Sequence, residues 1–224
     1  MEVIVNDLTE QGIKLDNIGF IGEENLCVSG DHTFIIDPLD GTTNYISKIK
    51  YFGVSIAYAY LGKITSSVVL NPTNNELFWA QKEKGSYINC GKTEKKLKVD
   101  KTKLTNCLMN TYFSADDQLS TQMFNTTQKL ASFIRGIRSL GSGVMESVDF
   151  CQNKLGILLY NSSWIWDLAA TQLIIEEAGG TMVNWQGEKI KFDFTKADKR
   201  YPNLVTHPNL VSEIIKIIDI TADH

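Results

Sequence analysis

Hydrophobic positions recur along this chain with two periods, and the change between them falls near residue 104. Over residues 52–61 the run Gly-Val-Ser-Ile-Ala-Tyr-Ala-Tyr alternates with period two, the mark of a strand with one buried face. Gly62-Lys63 forms a hairpin turn, and residues 64–70 make the return strand. A turn at Asn71-Pro72-Thr73-Asn74-Asn75, strands at 76–81 and 85–89, and a solvated Lys-rich loop at 92–98 complete an antiparallel meander. Upstream, Val3, Ile4 and Leu8 have helical spacing over residues 2–11, with Gly12 as the stop, and short strands are predicted at 18–24 and 33–36. After residue 104 strands and helices alternate. Strands are predicted at 104–113, 155–160 and 181–185, with a strand and turn over 137–143. Helices are predicted at 118–134, from 143 through 151, at 167–178 with Gly179-Gly180 as its stop, and at 209–218. The pattern predicts a layered α/β sandwich with an antiparallel N-terminal sheet over 1–103 and a mixed α/β subdomain over 104–224.

Composition narrows the function. The net charge of -4 leaves no basic surface for nucleic acid, and three histidines are too few for a His-rich metal site. No apolar run approaches the roughly 20 residues that cross a bilayer. The first residues lack the basic flank and apolar stretch of a signal peptide. A soluble, cytoplasmic protein is expected. Cys27, Cys90, Cys107 and Cys151 show no C-x-x-C spacing and are expected to be buried core thiols in a reducing compartment.

The chemistry is concentrated in Ile35-Ile36-Asp37-Pro38-Leu39-Asp40-Gly41-Thr42-Thr43-Asn44. A strand runs into two carboxylates, which repel each other unless a cation lies between them. A hard divalent ion with oxygen ligands, Mg²⁺, suits such a pair. The Gly-Thr-Thr that follows offers N–H and O–H donors to an anion. Glu23-Glu24 and Asp167 are further acids at chain positions able to converge on one sheet edge. By itself Asp40-Gly41 reads as an ordinary turn, and Asp167 as an ordinary helix cap.

Three segments together resemble the inositol monophosphatase family, the lithium-sensitive phosphatases related to fructose-1,6-bisphosphatases. They are Gly22-Glu23-Glu24, the Asp37–Asn44 string, and Trp166-Asp167-Leu168-Ala169-Ala170 with Glu177-Ala178-Gly179-Gly180. Ile137-Arg138-Ser139-Leu140-Gly141-Ser142 and Leu204-Val205-Thr206-His207-Pro208 add to the match. The resemblance implies two or three Mg²⁺ ions held by Glu23, Asp37, the Leu39 carbonyl, Asp40 and Asp167. It implies catalytic roles for Asp40 and Thr42, and substrate contacts at Gly41, Thr42, Gly143 and Asp167. The expected reaction is hydrolysis of a small polyol or sugar phosphate by metal-activated water, in a homodimer whose partner is a small phosphorylated metabolite. Histidinol phosphate, fructose 1,6-bisphosphate and 3′-phosphonucleotides remain open as substrates, as does a catalytically weak member kept for binding or regulation.

Two departures from the family pattern bear on these expectations. Family members begin with a helical hairpin bearing an Asp that pairs with the threonine at the position of Thr42. Since Met1 lies scarcely 20 residues before Glu23, most of that hairpin is expected to be absent, with slower turnover and intact metal binding. Asp7 is a poor match for the partner acid. Tyr160 stands where many members place a Glu that grips sugar hydroxyls, a role a phenol does not reproduce.

Overall fold

In the computed structural model, which describes residues 6, 8–12, 17–23 and 26–219, the strands gather into two sheets. The larger contains β1 (Ile18–Gly22), β2 (Leu26–Val28), β3 (His32–Asp40), β4 (Gly53–Tyr60), β5 (Lys63–Asn71), β6 (Glu76–Gln81), β7 (Gly85–Cys90) and β8 (Thr93–Lys96). Their order in space is β2-β1-β3-β4-β5-β6-β7-β8. The meander from β3 to β8 is antiparallel, but β1 and β3 run parallel. The sheet is therefore mixed, a correction to the antiparallel sheet expected. β2 folds back on β1 at the edge, so the chain re-enters beside β1 in its original direction.

The smaller sheet contains β9 (Leu108–Thr111), β10 (Gly136–Arg138), β11 (Ile157–Tyr160), β12 (Thr181–Val183) and β13 (Asn203–Thr206) in the order β10-β9-β11-β13-β12. The first three are parallel, and β13 and β12 are antiparallel to their neighbours. Among the described residues, besides the helical ones before β1, the helices are α1 (Thr42–Ile46), α2 (Asp117–Ala131), α3 (Gly143–Cys151), α4 (Ile165–Glu177) and α5 (Val211–Asp219).

Period-two alternation in β11 shows how the layers stack. Leu158 and Tyr160 join the core that contains α3, α4 and the large sheet, while Ile157 and Leu159 join a second core with α2 and α5. Among the described residues the layers thus run sheet, helices, sheet, helices. α4 lies between the two sheets, which is why Ile165, Trp166 and every residue from Leu168 to Ile175 are buried, with no polar face. It comes close to β4 because that strand presents the small buried side chains Ser55, Ala57 and Ala59, and the Ser55 hydroxyl donates to the Trp166 carbonyl at 3.2 Å. At the far end of α4, Glu177 accepts from the N–H groups of Glu83 and Gly85 at 2.7 and 2.8 Å, pinning the β6–β7 turn. A Cβ at Gly180 would lie 2.6 Å from the Phe150 ring, so the helix stop also permits close packing. The Glu177 and Gly180 positions of the sequence match are thus structural.

Several expected elements shift. β3 extends through Asp40, with a register break against β4 between Asp37 and Asp40 where Pro38 lacks an N–H for the ladder. A 3-10 turn at Leu104–Asn106 precedes β9. The Lys-rich 92–98 segment contains β8, an exposed edge strand of the kind that charge protects from further pairing. Cys107 and Cys151 are buried as expected, whereas Cys27 and Cys90 are exposed because they sit on the edge strand β2 and at the last position of β7. The helix expected over 2–11 is helical at Leu8, Thr9 and Glu10, while Asp7 and Glu24 lie outside the described residues. Among the described residues no helix is long and apolar enough to cross a membrane.

Candidate active site

Two elements deliver one cluster of three carboxylates. Asp37 and Asp40 come from the end of β3, and Asp167 from the third position of α4, a helix that begins two residues before the start expected for it. One oxygen of each lies within 4.8 Å of the others. Asp37 is 3% exposed, and the other two are partly exposed. Each is braced by main-chain N–H groups: Leu39 donates to Asp37 Oδ1 at 3.0 Å, Val144 to Asp40 Oδ2 at 2.8 Å, and Trp164 to Asp167 Oδ2 at 2.8 Å. The Ser142 hydroxyl also donates to Asp40 Oδ2.

Burial and mutual repulsion raise the pKa values of the cluster. Asp37 is pushed up to about 7, first by burial and then by the neighbouring Asp40 charge. Burial also raises Asp40 and Asp167, in Asp40 against the donors that hold its carboxylate and in Asp167 with help from the Asp40 charge. No ion pair to any of the three occurs among the described residues. A buried, oxygen-only donor set with excess negative charge fits a hard cation.

The other residues singled out from the sequence take various places. Glu23 is exposed in the turn after β1; its charge reaches Asp37, but its carboxylate is outside the group of three. The Leu39 carbonyl accepts the Thr42 hydroxyl at 3.0 Å. Gly41 has φ +85, and a Cβ there would meet Ser142 Cβ and the Tyr51 carbonyl at 3.1 Å, so both backbone conformation and space call for glycine. The first bond of α1 runs from the Tyr45 N–H to the Gly41 carbonyl, which leaves the N–H groups of Thr42 and Thr43 at the helix start. Gly143 opens α3 with open space where a side chain would be, and its N–H is among the donors that act on Asp40.

Tyr160 does not present its phenol as a substrate contact. It is 9% exposed, donates to Glu146 Oε2 and accepts from Asn110 Nδ2 at 3.3 Å. Glu146 Oε1 accepts the N–H groups of Gly141 and Ser142 at 2.8 and 3.2 Å, and Asn110 Oδ1 accepts the Leu140 N–H at 3.2 Å. This buried network shapes the turn that offers Ser142 to Asp40. Asn44 joins it from the other side, donating to the carbonyls of Tyr51 and Leu140 at 2.8 and 2.7 Å. Sequence reasoning missed Asn110, Glu146 and the tie made by Asn44. An acid at the fourth residue of an apolar helix, as Glu146 is in α3, was the available signal.

The family model described as the inositol monophosphatase family matches residues 2–219. Inositol monophosphatase 2 of Saccharomyces cerevisiae is 32% identical over 187 residues, covering 76% of this chain and 62% of that protein. Inositol-1-monophosphatase of Caulobacter vibrioides is 33% identical over 172 residues, covering 72% of this chain and 64% of the relative. Nus factor SuhB of Pseudomonas aeruginosa is 34% identical over 181 residues, covering 75% and 64%. The chain thus spans less than two thirds of the length of these relatives. Among solved structures, the extragenic suppressor protein suhB of Bartonella henselae superposes with a TM-score of 0.83 at 26% identity, covering 98% of this chain and 81% of the other.

Proposed function

The chain belongs to the inositol monophosphatase family, and on that premise we propose that it is a Mg²⁺-dependent phosphomonoesterase for a small polyol or sugar phosphate. The observation that carries this reading is the convergence of Asp37, Asp40 and Asp167 within 4.8 Å, with no ion pair among the described residues to offset their charge. We assign Glu23 and the Leu39 carbonyl as further oxygen ligands, for two or three ions in all. Bound Mg²⁺ would neutralise phosphate oxygens, acidify a water and stabilise the departing oxygen.

The chain's own groups account for the rest. Thr42 uses its only hydroxyl proton on the Leu39 carbonyl, so its lone pairs are left to accept from a water and orient it. The N–H groups at the start of α1, beside Gly41, are placed to receive phosphate oxygens. Ser142 and Val144 hold the Asp40 carboxylate in one orientation. No covalent nucleophile is needed for phosphoryl transfer to water. Cys107, pushed up to about 11 by burial, and Cys151, raised by complete burial, are held as thiols and take no part.

Calorimetric Mg²⁺ titration and phosphate release test the reading together. Asp37→Asn should lose Mg²⁺ affinity by more than the roughly 10–100-fold typical of losing an outer partner of a metal ligand. Release should require Mg²⁺ and fall with Li⁺, an expectation from family resemblance. Unchanged Mg²⁺ affinity in the variant would refute the ligand assignment, and robust turnover in EDTA would refute the mechanism.

A further inference from the structure

The rim of the carboxylate cluster carries a cation with no role so far. Ser163 and Tyr201 exchange main-chain hydrogen bonds in both directions, at 3.3 and 2.9 Å. That pairing aligns the segment before α4 with the one that leads into β13 and lays Arg200 across Trp164. The guanidinium carbon lies 3.1 Å from the centroid of the indole ring. Trp164 in turn stacks on Trp166 with centroids 5.1 Å apart, and its N–H is the one that braces Asp167. A single residue therefore links the guanidinium to the cluster.

Among the described residues the Arg200 guanidinium takes part in neither ion pair, which join Lys154 to Asp149 and Lys189 to Glu176. Its side chain is exposed, and its charge acts on Asp167. A planar fork of donors seated over an indole ring loses little freedom when its edge takes a partner, and that fork matches phosphate or carboxylate. Among the described residues no Asp167 oxygen comes within ion-pair distance of the guanidinium, so its donor edge is open to a molecule seated on the cluster.

We propose that Arg200, stacked on Trp164 beside Asp167, determines specificity by receiving a second anionic group of the substrate, remote from the phosphate that is hydrolysed. The proposal rests on the phosphatase reading above and sharpens it: phosphomonoesters with a second phosphate or carboxylate are favoured over neutral polyol phosphates and over cation-bearing ones such as histidinol phosphate.

Initial rates with Mg²⁺ on the matched pair fructose 1,6-bisphosphate and fructose 1-phosphate, which lacks only the second phosphate, test it in wild type, Arg200→Ala and Arg200→Lys. Arg200→Ala should lower kcat/KM for the bisphosphate about tenfold more than for the monophosphate, the factor that 1.4 kcal/mol represents, with the difference carried by KM. Arg200→Lys should recover part of the loss. Equal changes for the two substrates, or none, would overturn the proposal. If neither ester is hydrolysed, the phosphatase reading fails for this pair, and calorimetry of both ligands on the Mg²⁺-loaded protein decides Arg200 separately. A tenfold weaker Kd in Arg200→Ala confined to the bisphosphate upholds it, and equal affinities refute it.

Discussion

Glu146 and the Asp37–Asp40–Asp167 cluster are neighbouring acids raised by burial, yet their surroundings differ in kind. Glu146 is pushed up to about 7, and it has donors on both oxygens: two main-chain N–H groups on one and the Tyr160 phenol on the other. Its shell is complete within the protein. The cluster instead sets three carboxylates within 4.8 Å, each braced by the backbone but facing the others. Donors can compensate the burial of one carboxylate, but they do not remove repulsion among three. One arrangement holds a turn in shape, and the other is suited to an added cation.

The largest effect expected from this contrast is at Asp167. Under the proposed mechanism, Asp167→Asn should lower Mg²⁺-dependent kcat by on the order of 10²-fold or more, because the ion proposed to stabilise developing charge would lose a ligand. The same change should raise the melting temperature of the metal-free protein above pH 7, since the amide still accepts from Trp164 without adding repulsion. A lower melting temperature there would break the contrast with Glu146.

Glu146→Leu should act in the opposite sense. It leaves the Gly141 and Ser142 N–H groups and the Tyr160 hydroxyl without their acceptor, each at about 1–3 kcal/mol. Urea unfolding should show a loss of about 3 kcal/mol or more. Tyr160→Phe removes one donor from the same shell and should cost about 1 kcal/mol. A negligible loss in Glu146→Leu would mean that the turn holds its shape without the carboxylate.

A gentler test uses pH. Asp37 moves from its ordinary 3.8 to about 7, and Glu146 from 4.5 to about 7, so the folded metal-free protein binds more protons than the unfolded chain between those values. Stability should therefore fall as pH rises from about 4 to about 7, and the raised Asp40 and Asp167 add to the fall in the same direction. Saturating Mg²⁺ should flatten the cluster's share of that slope and leave the share of Glu146, whereas Glu146→Gln should do the reverse. A slope unaffected by Mg²⁺ in thermal melts would show that the cluster does not couple to the ion.

What the sequence by itself determined is what short-range patterning encodes. Alternation over residues 52–91 specified the hairpins from β4 to β7, because strand period and turn residues are local properties. The Asp37–Asn44 string and the Trp166-Asp167 pair specified the candidate acids, because a strand end and a helix start keep their ligands a few residues apart. The edge strands β2 and β8 and the five-residue α1 were not legible, since each is held by neighbours rather than by its own periodicity. Glu146, Asn110 and Arg200 acquire their roles only in the tertiary structure. Arg200 meets Trp164 across 36 positions of sequence, a contact created when Tyr201 pairs with Ser163. Tyr160 turned inward for the same reason: whether a side chain faces the site or the core depends on which strand lies beside it, and β11 is placed by β9 and β13. Residue types and local spacing announced the chemistry, while long-range packing decided which groups face it.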